Sequence, residues 1–211
     1  TASQPALRFL PAPSSVFEVV SQNSWVDENG DLNIVGEVRN ISGQPIENRV
    51  STDVAIFDER GQPIEANVYV SLHRPRIGLN AKSPFHILIL GDELIGATVK
   101  DVAAYQLGFE VTKVPRNEVE LRVTDSNVRS DEGGLVVEGQ MVNHADRVMT
   151  NPRVYVVLYD LNERVLTTFG LDQVESDRLG PGATSHFEVD LLDPYEETET
   201  YDIIATGVLV E

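Results

Sequence analysis

The stretch that decides the fold is Leu32-Asn33-Ile34-Val35-Gly36-Glu37-Val38-Arg39-Asn40. Its apolar residues Leu32, Ile34 and Val38 share one face of an alternating pattern, which is typical of a β-strand with one side in a core. The same design returns in the second half of the chain as Leu135-Val136-Val137-Glu138-Gly139-Gln140-Met141-Val142-Asn143. A strand pattern that occurs twice predicts that the domain around it also occurs twice.

Three further pairs of stretches support an internal duplication. They are Val54–Asp58 with Val156–Asp160, Ile77-Gly78 with Leu179-Gly180, and Asp101–Ala104 with Asp202–Ala205. The offset between matched stretches stays between 101 and 103 residues, so we predict a tandem duplication. The predicted boundaries are an N-terminal arm over residues 1–15, a first domain over 16–114 and a second domain over 115–211.

Turn sequences separate the short apolar runs. Asn29-Gly30, Arg60–Pro63 and Gly180-Pro181-Gly182 are typical of turns between strands. No long window keeps the apolar stripe of an amphipathic helix free of such breakers. We therefore predict an all-β fold that consists of two tandem immunoglobulin-like antiparallel β-sandwiches.

The second copy carries a motif that resembles a known domain family. Val157-Leu158-Tyr159-Asp160, followed by Leu179-Gly180-Pro181-Gly182 and Phe187, is similar to the FxLYD-type domain. In the first copy, Ile56-Phe57-Asp58 has a phenylalanine in place of the tyrosine, and Asn80-Ala81-Lys82 replaces the Pro-Gly-Ala turn. The resemblance implies an immunoglobulin-like sandwich in a prokaryotic envelope or secreted protein, and it implies no reaction.

Composition excludes several classes of function. The chain has 211 residues, no cysteine, 16 basic and 34 acidic residues, and a net charge of −18. The missing cysteine excludes disulfides and thiolate metal sites. The negative charge disfavours contact with nucleic acid and direct binding to anionic lipid. The longest aliphatic run, Ile87–Leu90, is too short to span a bilayer.

Catalytic chemistry has little support in the sequence. The histidines His73, His86, His144 and His186 lack the spacing of metal-binding pairs. Serine, histidine and aspartate all occur, so a hydrolase with a Ser/His/Asp site is an alternative, although no G-x-S-x-G elbow or phosphate-binding loop supports it. We expect a chain that is not an enzyme and that needs no cofactor.

One loop is a calcium candidate. Asp27, Asn29 and Asp31 place side-chain oxygens at alternate positions, as calcium loops do. The loop lacks the later glycine and glutamate of an EF-hand, and Asn29-Gly30 is itself a hairpin turn sequence. We favour the turn as the interpretation, with a calcium site as the alternative.

Polar residues at strand ends are expected to serve the framework. Asp58 and Asp160 follow matching strands, where a carboxylate can accept N–H groups of a turn. Asn40 and Asn143 end matching strands, where an amide can satisfy unpaired backbone groups. Asn40-Ile41-Ser42 is also an N-glycosylation sequon, so Asn40 is an alternative attachment site.

The N-terminal arm suggests a mode of assembly. Ala6–Pro13 aligns with the end of the first copy's last strand, and the second copy ends at residues that match Phe109-Glu110. Leu7, Phe9 and Leu10 are therefore candidates for a strand donated to the second domain of another chain. Such a head-to-tail contact would propagate as a filament. The alternative is a proline-rich linker that packs on its own domain.

These patterns predict a binding or building role outside the cell. The chain begins at Thr1 without an initiator methionine, so we expect a signal or anchor segment to have been removed and an extracellular or envelope location. The expected partner is another protein or a second copy of the chain. The leading expectation is a non-catalytic protein-interaction or structural module, and the alternative is a filament subunit joined through the arm.

Overall fold

A computed structural model of the chain describes residues 7–11, 14, 16–115, 117–131, 134–171, 174–191 and 198–210. These residues form strands and one short 3-10 helix (Val99–Asp101), which confirms the predicted all-β fold. None of the described residues lies in a helix that is long and apolar enough to cross a membrane. In chain order the strands are β1 (Arg8–Leu10), β2 (Phe17–Val26), β3 (Leu32–Asn40), β4 (Asn48–Phe57), β5 (Pro63–Leu72), β6 (Lys82–Ile95), β7 (Ala104–Pro115), β8 (Glu118–Asp131), β9 (Gly134–Val142), β10 (Met149–Tyr159), β11 (Val165–Leu171), β12 (Arg178–Leu179), β13 (Thr184–Leu191) and β14 (Thr200–Leu209).

The chain divides into two compact units. The first unit contains the residues up to Leu72 together with Ile77–Val114, and the second contains His73–Arg76 and the residues from Pro115 onward. The predicted boundary at residue 114 placed residues 73–76 in the first domain, whereas the structure groups them with the second unit. There the Arg74 guanidinium bonds the carboxylates of Asp202 at 2.6 Å and Glu120 at 3.2 Å.

In the first unit the strand order is β1-β7-β4-β5-β6-β3-β2. Strand β5 pairs with β4 at Pro63 and Ile64 and with β6 along the rest of its length, so it passes from one layer to the other. The core between the layers contains Ile34 and Ile87 from one side and Ile56 and Leu107 from the other. This burial of both inner faces gives the unit the character of a β-sandwich.

In the second unit the strand order is β11-β10-β14-β8-β9-β13, with β12 beside β10. Here the strand shared by the layers is β8, which pairs with β14 over Glu118–Leu121 and with β9 over Arg122–Asp131. The two units therefore differ in topology: β5 pairs with β4 only at its start and then with β6, whereas β11, which matches β5 in sequence, pairs with β10 from Val165 to Leu171. The tandem duplication stays a prediction.

Two glycines mark the same close contact in both units. Gly36 lies directly opposite Phe85 on β6, and Gly139 lies opposite Phe187 on β13. A Cβ added to Gly139 would lie 2.8 Å from Cζ of Phe187, and one added to Gly36 would lie 2.7 Å from Cζ of Phe85. Each phenylalanine ring therefore covers a strand position that must lack a side chain.

Asn40 and Asn143 hold a matching corner in each unit. The Asn40 side chain is fully buried, and its Nδ2 donates to the carbonyl oxygens of Gln44 at 2.7 Å and of Ile77 and Gly78 at 3.0 Å. The equivalent partners of Asn143 are Arg147, Leu179 and Gly180. A glycan is attached through this same nitrogen, so glycosylation of Asn40 is incompatible with the packing and the residue serves the framework.

The turns after β4 and β10 also share one design. Asp58 Oδ1 accepts the backbone N–H groups of Arg60 at 2.8 Å and Gln62 at 2.7 Å. Asp160 Oδ1 accepts those of Asn162 and Arg164, both at 2.8 Å. The two aspartates therefore cap their turns, as the sequence predicts.

Candidate functional site

The candidate site is a cleft in the first unit, at the end where β2 turns into β3. The cleft encloses a volume of about 860 Å³, within the size range of ligand pockets. Three segments form its walls: the β2–β3 turn, the middle of β6, and the 3-10 helix with the residue before it. The lining residues are Val26, Asn29, Gly30, Asp31, Leu90, Gly91, Asp92, Thr98, Val99 and Lys100.

The cleft exists because β6 is longer than its neighbour β3. Strand β3 begins at Leu32, which pairs with Ile89, whereas β6 continues as far as Ile95. Between Ile89 and Leu94 the pairing of β6 with β5 is interrupted by a bulge, so this part of β6 leaves the regular sheet. Bulges of this kind are common beside functional sites, because they turn side chains away from the regular sheet direction.

Gly91 fastens the bulge to the β2–β3 turn. Its backbone N–H donates to Oδ1 of Asp31 at 2.8 Å. A Cβ at position 91 would lie only 2.7 Å from the carbonyl oxygen of Gly30. Gly30 itself has φ +85, a backbone conformation that favours glycine. Both glycines are therefore required where the two walls of the cleft meet.

The Asp27 carboxylate organises the turn from behind the cleft. Oδ1 accepts the backbone N–H groups of Asn29 and Asp31, each at 3.0 Å, and Oδ2 accepts Nδ2 of Asn33 at 3.2 Å. Asn33 Oδ1 in turn lies 2.9 Å from Nε2 of His86. Burial lowers the pKa of His86, so we assign a neutral imidazole whose Nε2–H donates to the amide oxygen.

Two of the three calcium candidates line the cleft, and the third supports the turn beside it. Asn29 and Asp31 line the cleft, while both oxygens of Asp27 hold the turn. Within the described part of the chain, Asp27 and Asp31 do not belong to a group of three or more acidic or histidine ligands whose atoms lie within 4.8 Å of one another. The structure shows the hairpin turn that the sequence favours, and calcium binding stays a prediction.

The lining combines an apolar floor with a polar rim. Val26, Leu90 and the buried Val99 supply the floor. Asp92 and Lys100 are exposed at the rim, and no other described side chain forms an ion pair with Lys100. Lys100 also lines a second, neighbouring cavity of about 580 Å³ together with Asp58, Arg60 and Asp101. The arrangement can bind an amphipathic group by burying its apolar part and pairing its charges at the rim.

The structure places the arm on its own unit. Strand β1 runs parallel to β7, where Arg8 pairs with Ala104 and Leu10 pairs with Gln106. Leu7 is buried in the core, and the ring of Phe9 lies 5.5 Å from that of Tyr105. The hydroxyl of Tyr105 donates to Gln22, and burial raises the pKa of this tyrosine.

Strand exchange between chains stays a prediction. It would require β1 to leave β7, and the edge of β14 over residues 205–208 is already paired with the start of β8. Residues 1–6, 12, 13 and 15 of the predicted arm lie outside the described residues.

A second cluster lies on the outer face of the second unit, and the sequence does not reveal it. One ligand atom from each of Glu138, His186 and Glu188 lies within 4.8 Å of the others. Glu138 pairs directly with Glu188 across β9 and β13. The spacing of His186 and Glu188 on one face of a strand is the only sequence signal for this cluster. Glu138 gives no such signal, because its strand β9 lies far from β13 along the chain.

The remaining histidines have other surroundings. His73 is buried in the second unit, with its ring stacked on Tyr155 at a centroid distance of 4.1 Å. His144 is exposed. Nε2 of His86 bonds the amide oxygen of Asn33, and Nε2 of His186 lies beside the carboxylate of Glu188.

The sequence matches no protein-family model and shows no significant similarity to a curated protein. Function therefore has to be argued from the sites themselves.

Proposed function

We propose that the protein is a non-catalytic binding module of the cell surface or the extracellular space, built from two immunoglobulin-like domains. Its first unit binds a protein partner in the cleft between the β2–β3 turn and the 3-10 helix. The observation that carries this proposal is a cleft of about 860 Å³ whose walls are held by hydrogen bonds and whose floor is apolar. The resemblance to FxLYD-type domains supports the fold type and the location.

The polar groups around the cleft favour binding over catalysis. The Thr98 hydroxyl donates to Asp101 at 2.8 Å and belongs to the cap of the 3-10 helix. The carboxylates of Asp27 and Asp31 accept backbone N–H groups. These groups hold the walls of the cleft in place. Asp92 and Lys100, at the rim, are the charged side chains that contact a partner. A rigid site of this kind lowers the entropy cost of binding.

The negative net charge of the chain favours a partner with basic residues. With a net charge of −18, the surface attracts basic proteins and repels acidic ones. A partner segment with an apolar side chain next to a basic residue fits the floor and Asp92. An acidic group in the same segment fits Lys100.

Site-specific photo-cross-linking tests the proposal. A benzophenone amino acid replaces Asn29, an exposed residue of the cleft lining, in one variant and Leu161, an exposed residue of the second unit, in a control variant. Both are irradiated with an envelope extract from the producing cells. We expect a discrete adduct from position 29 that Lys100→Glu weakens and that position 161 does not form. Equal labelling at both positions, or no adduct at position 29, contradicts the proposal.

Light scattering on the purified chain separates this function from self-assembly. We expect a monodisperse species of 23.3 kDa. Polymers would instead support the filament alternative. No specific observation among the described residues favours the filament alternative or the hydrolase alternative.

A further inference from the structure

The outer face of β9 and β13 in the second unit gathers four charged or ionisable side chains. Glu138 and Glu188 lie directly opposite each other, and His186 lies two positions before Glu188 on the same face. Arg129 from β8 reaches both carboxylates, with Nε 3.0 Å from Oε2 of Glu138 and Nη2 3.2 Å from Oε2 of Glu188. All four side chains are partly open to solvent.

Carboxylate charge exceeds cationic charge in this cluster. Two carboxylates directly opposite each other on neighbouring strands destabilise a sheet unless a cation lies between them. Arg129 supplies one positive charge for Glu138 and Glu188. A third carboxylate, Glu175, accepts the backbone N–H of His186 at 3.4 Å. The site therefore keeps a net negative charge that a divalent cation would balance.

The two carboxylates remain accessible beside Arg129, with 29% of the Glu138 side chain and 49% of the Glu188 side chain exposed. Arg129 bonds the Oε2 atom of each glutamate. The Oε1 atom of Glu188 lies 3.3 Å from Nε2 of His186. This separation is long for a charge-assisted hydrogen bond, which is about 2.7–2.9 Å. Two ligands bound to one tetrahedral zinc ion at about 2.0 Å lie about 3.3 Å apart, which is the separation of this pair, and a carboxylate oxygen of Glu138 lies within 4.8 Å of both atoms.

We propose that this cluster is a zinc site. His186 Nε2 and one oxygen each of Glu138 and Glu188 bind the ion, and the fourth position is open to water or to a side chain of a partner. Arg129 is a positioning residue that orients the two carboxylates from outside the ligand set. The imidazole and the small number of ligands favour zinc over calcium, which takes six to eight oxygen ligands. The site would tie β9 to β13 at the unit's surface.

Calorimetric titration of the untagged chain with zinc chloride tests the proposal. We expect one saturable site per chain. His186→Asn and Glu188→Gln should each weaken binding at least about tenfold, because each removes a ligand. His144→Asn is the matched control, since it removes an exposed histidine from the same unit. It should leave the affinity unchanged. Calcium chloride should not compete with zinc.

Imidazole NMR signals give a second readout that does not depend on heats of binding. Zinc should shift the ring signals of His186 and leave those of His144 in place. Far-UV circular dichroism checks that each variant is folded, which we expect because both substituted side chains are partly exposed. The proposal is overturned if the folded wild-type chain shows no saturable zinc binding. It is equally overturned if His186→Asn and His144→Asn change the affinity to the same extent.

Discussion

The buried amide of Asn40 allows a sharp test of how the first unit is held together. Its Nδ2 has three carbonyl oxygens within 3.0 Å but only two hydrogens, so at most two strong hydrogen bonds form. Asn40→Ala removes both bonds and leaves buried carbonyl groups unsatisfied. At roughly 1 kcal/mol for each bond and a further desolvation cost of about 1 kcal/mol, we expect a loss of about 3 kcal/mol in the free energy of unfolding.

Asn40→Asp separates hydrogen bonding from shape. The substitution preserves the size of the side chain but points a carboxylate oxygen at the carbonyl oxygens of Gln44, Ile77 and Gly78. It should therefore cost more than Asn40→Ala at neutral pH. Protonation restores one donor, so the folded-state pKa of the new carboxyl is raised above its unfolded value. The variant is therefore most stable below the pKa of the unfolded state, and it loses stability as the pH rises through the pKa of the folded state.

Urea unfolding followed by fluorescence measures these differences, because Trp25, the only tryptophan, lies on β2 of the first unit. Ser42→Ala is the matched control. It removes a hydroxyl that donates to Asn40 Oδ1 at 2.7 Å, while the Ser42 backbone N–H still bonds the same oxygen. We expect it to cost under about 1 kcal/mol. The reasoning fails if Asn40→Asp is no more destabilising than Asn40→Ala at pH 7, or if Asn40→Ala costs no more than the control.

Three other perturbations have defined outcomes. Gly139→Ala places a Cβ 2.8 Å from Phe187 and should cost about 2 kcal/mol in chemical unfolding, whereas Gly180→Ala, with no atom within 4 Å, should be close to neutral. Leu7→Ala should cost about 2 kcal/mol through lost core contacts. Its melting temperature should not depend on protein concentration, and a concentration dependence would show that the arm packs between chains. The pKa of Asp160 is lowered chiefly by the backbone hydrogen bond from Arg164, so an NMR titration should place its midpoint below 3.8, and a midpoint at or above that value would contradict the cap. Because this pKa is depressed in the folded state, the turn keeps the stabilising contact above the unfolded pKa and loses it as pH falls.

The candidate site was only partly predictable. The spacing of Asp27, Asn29 and Asp31 correctly indicates a polar turn, but it cannot show that both oxygens of Asp27 are taken by neighbouring N–H groups. Nor can it show that β6 bulges beside this turn and leaves a cleft, since the bulge depends on pairing with β5 and on the contact of Gly91 with Gly30. These are contacts between residues far apart in the chain.

Local features of this protein follow from its sequence alone. The alternation in Leu32–Asn40 and Leu135–Asn143 predicts strands, and Asp58 and Asp160 predict capped turns. These features depend on residues within a few positions of one another, where backbone sterics and short-range hydrogen bonds decide the conformation.

Tertiary structure decides which strands meet. Similar sequences place β5 between two layers in one unit, while β8 takes that role in the other. Pairing of β9 with β13 sets Glu138 opposite Glu188 and brings His186 and Arg129 to them. The physical reason is that a strand pattern specifies which face is buried, whereas its partner and register are set by packing across the whole core.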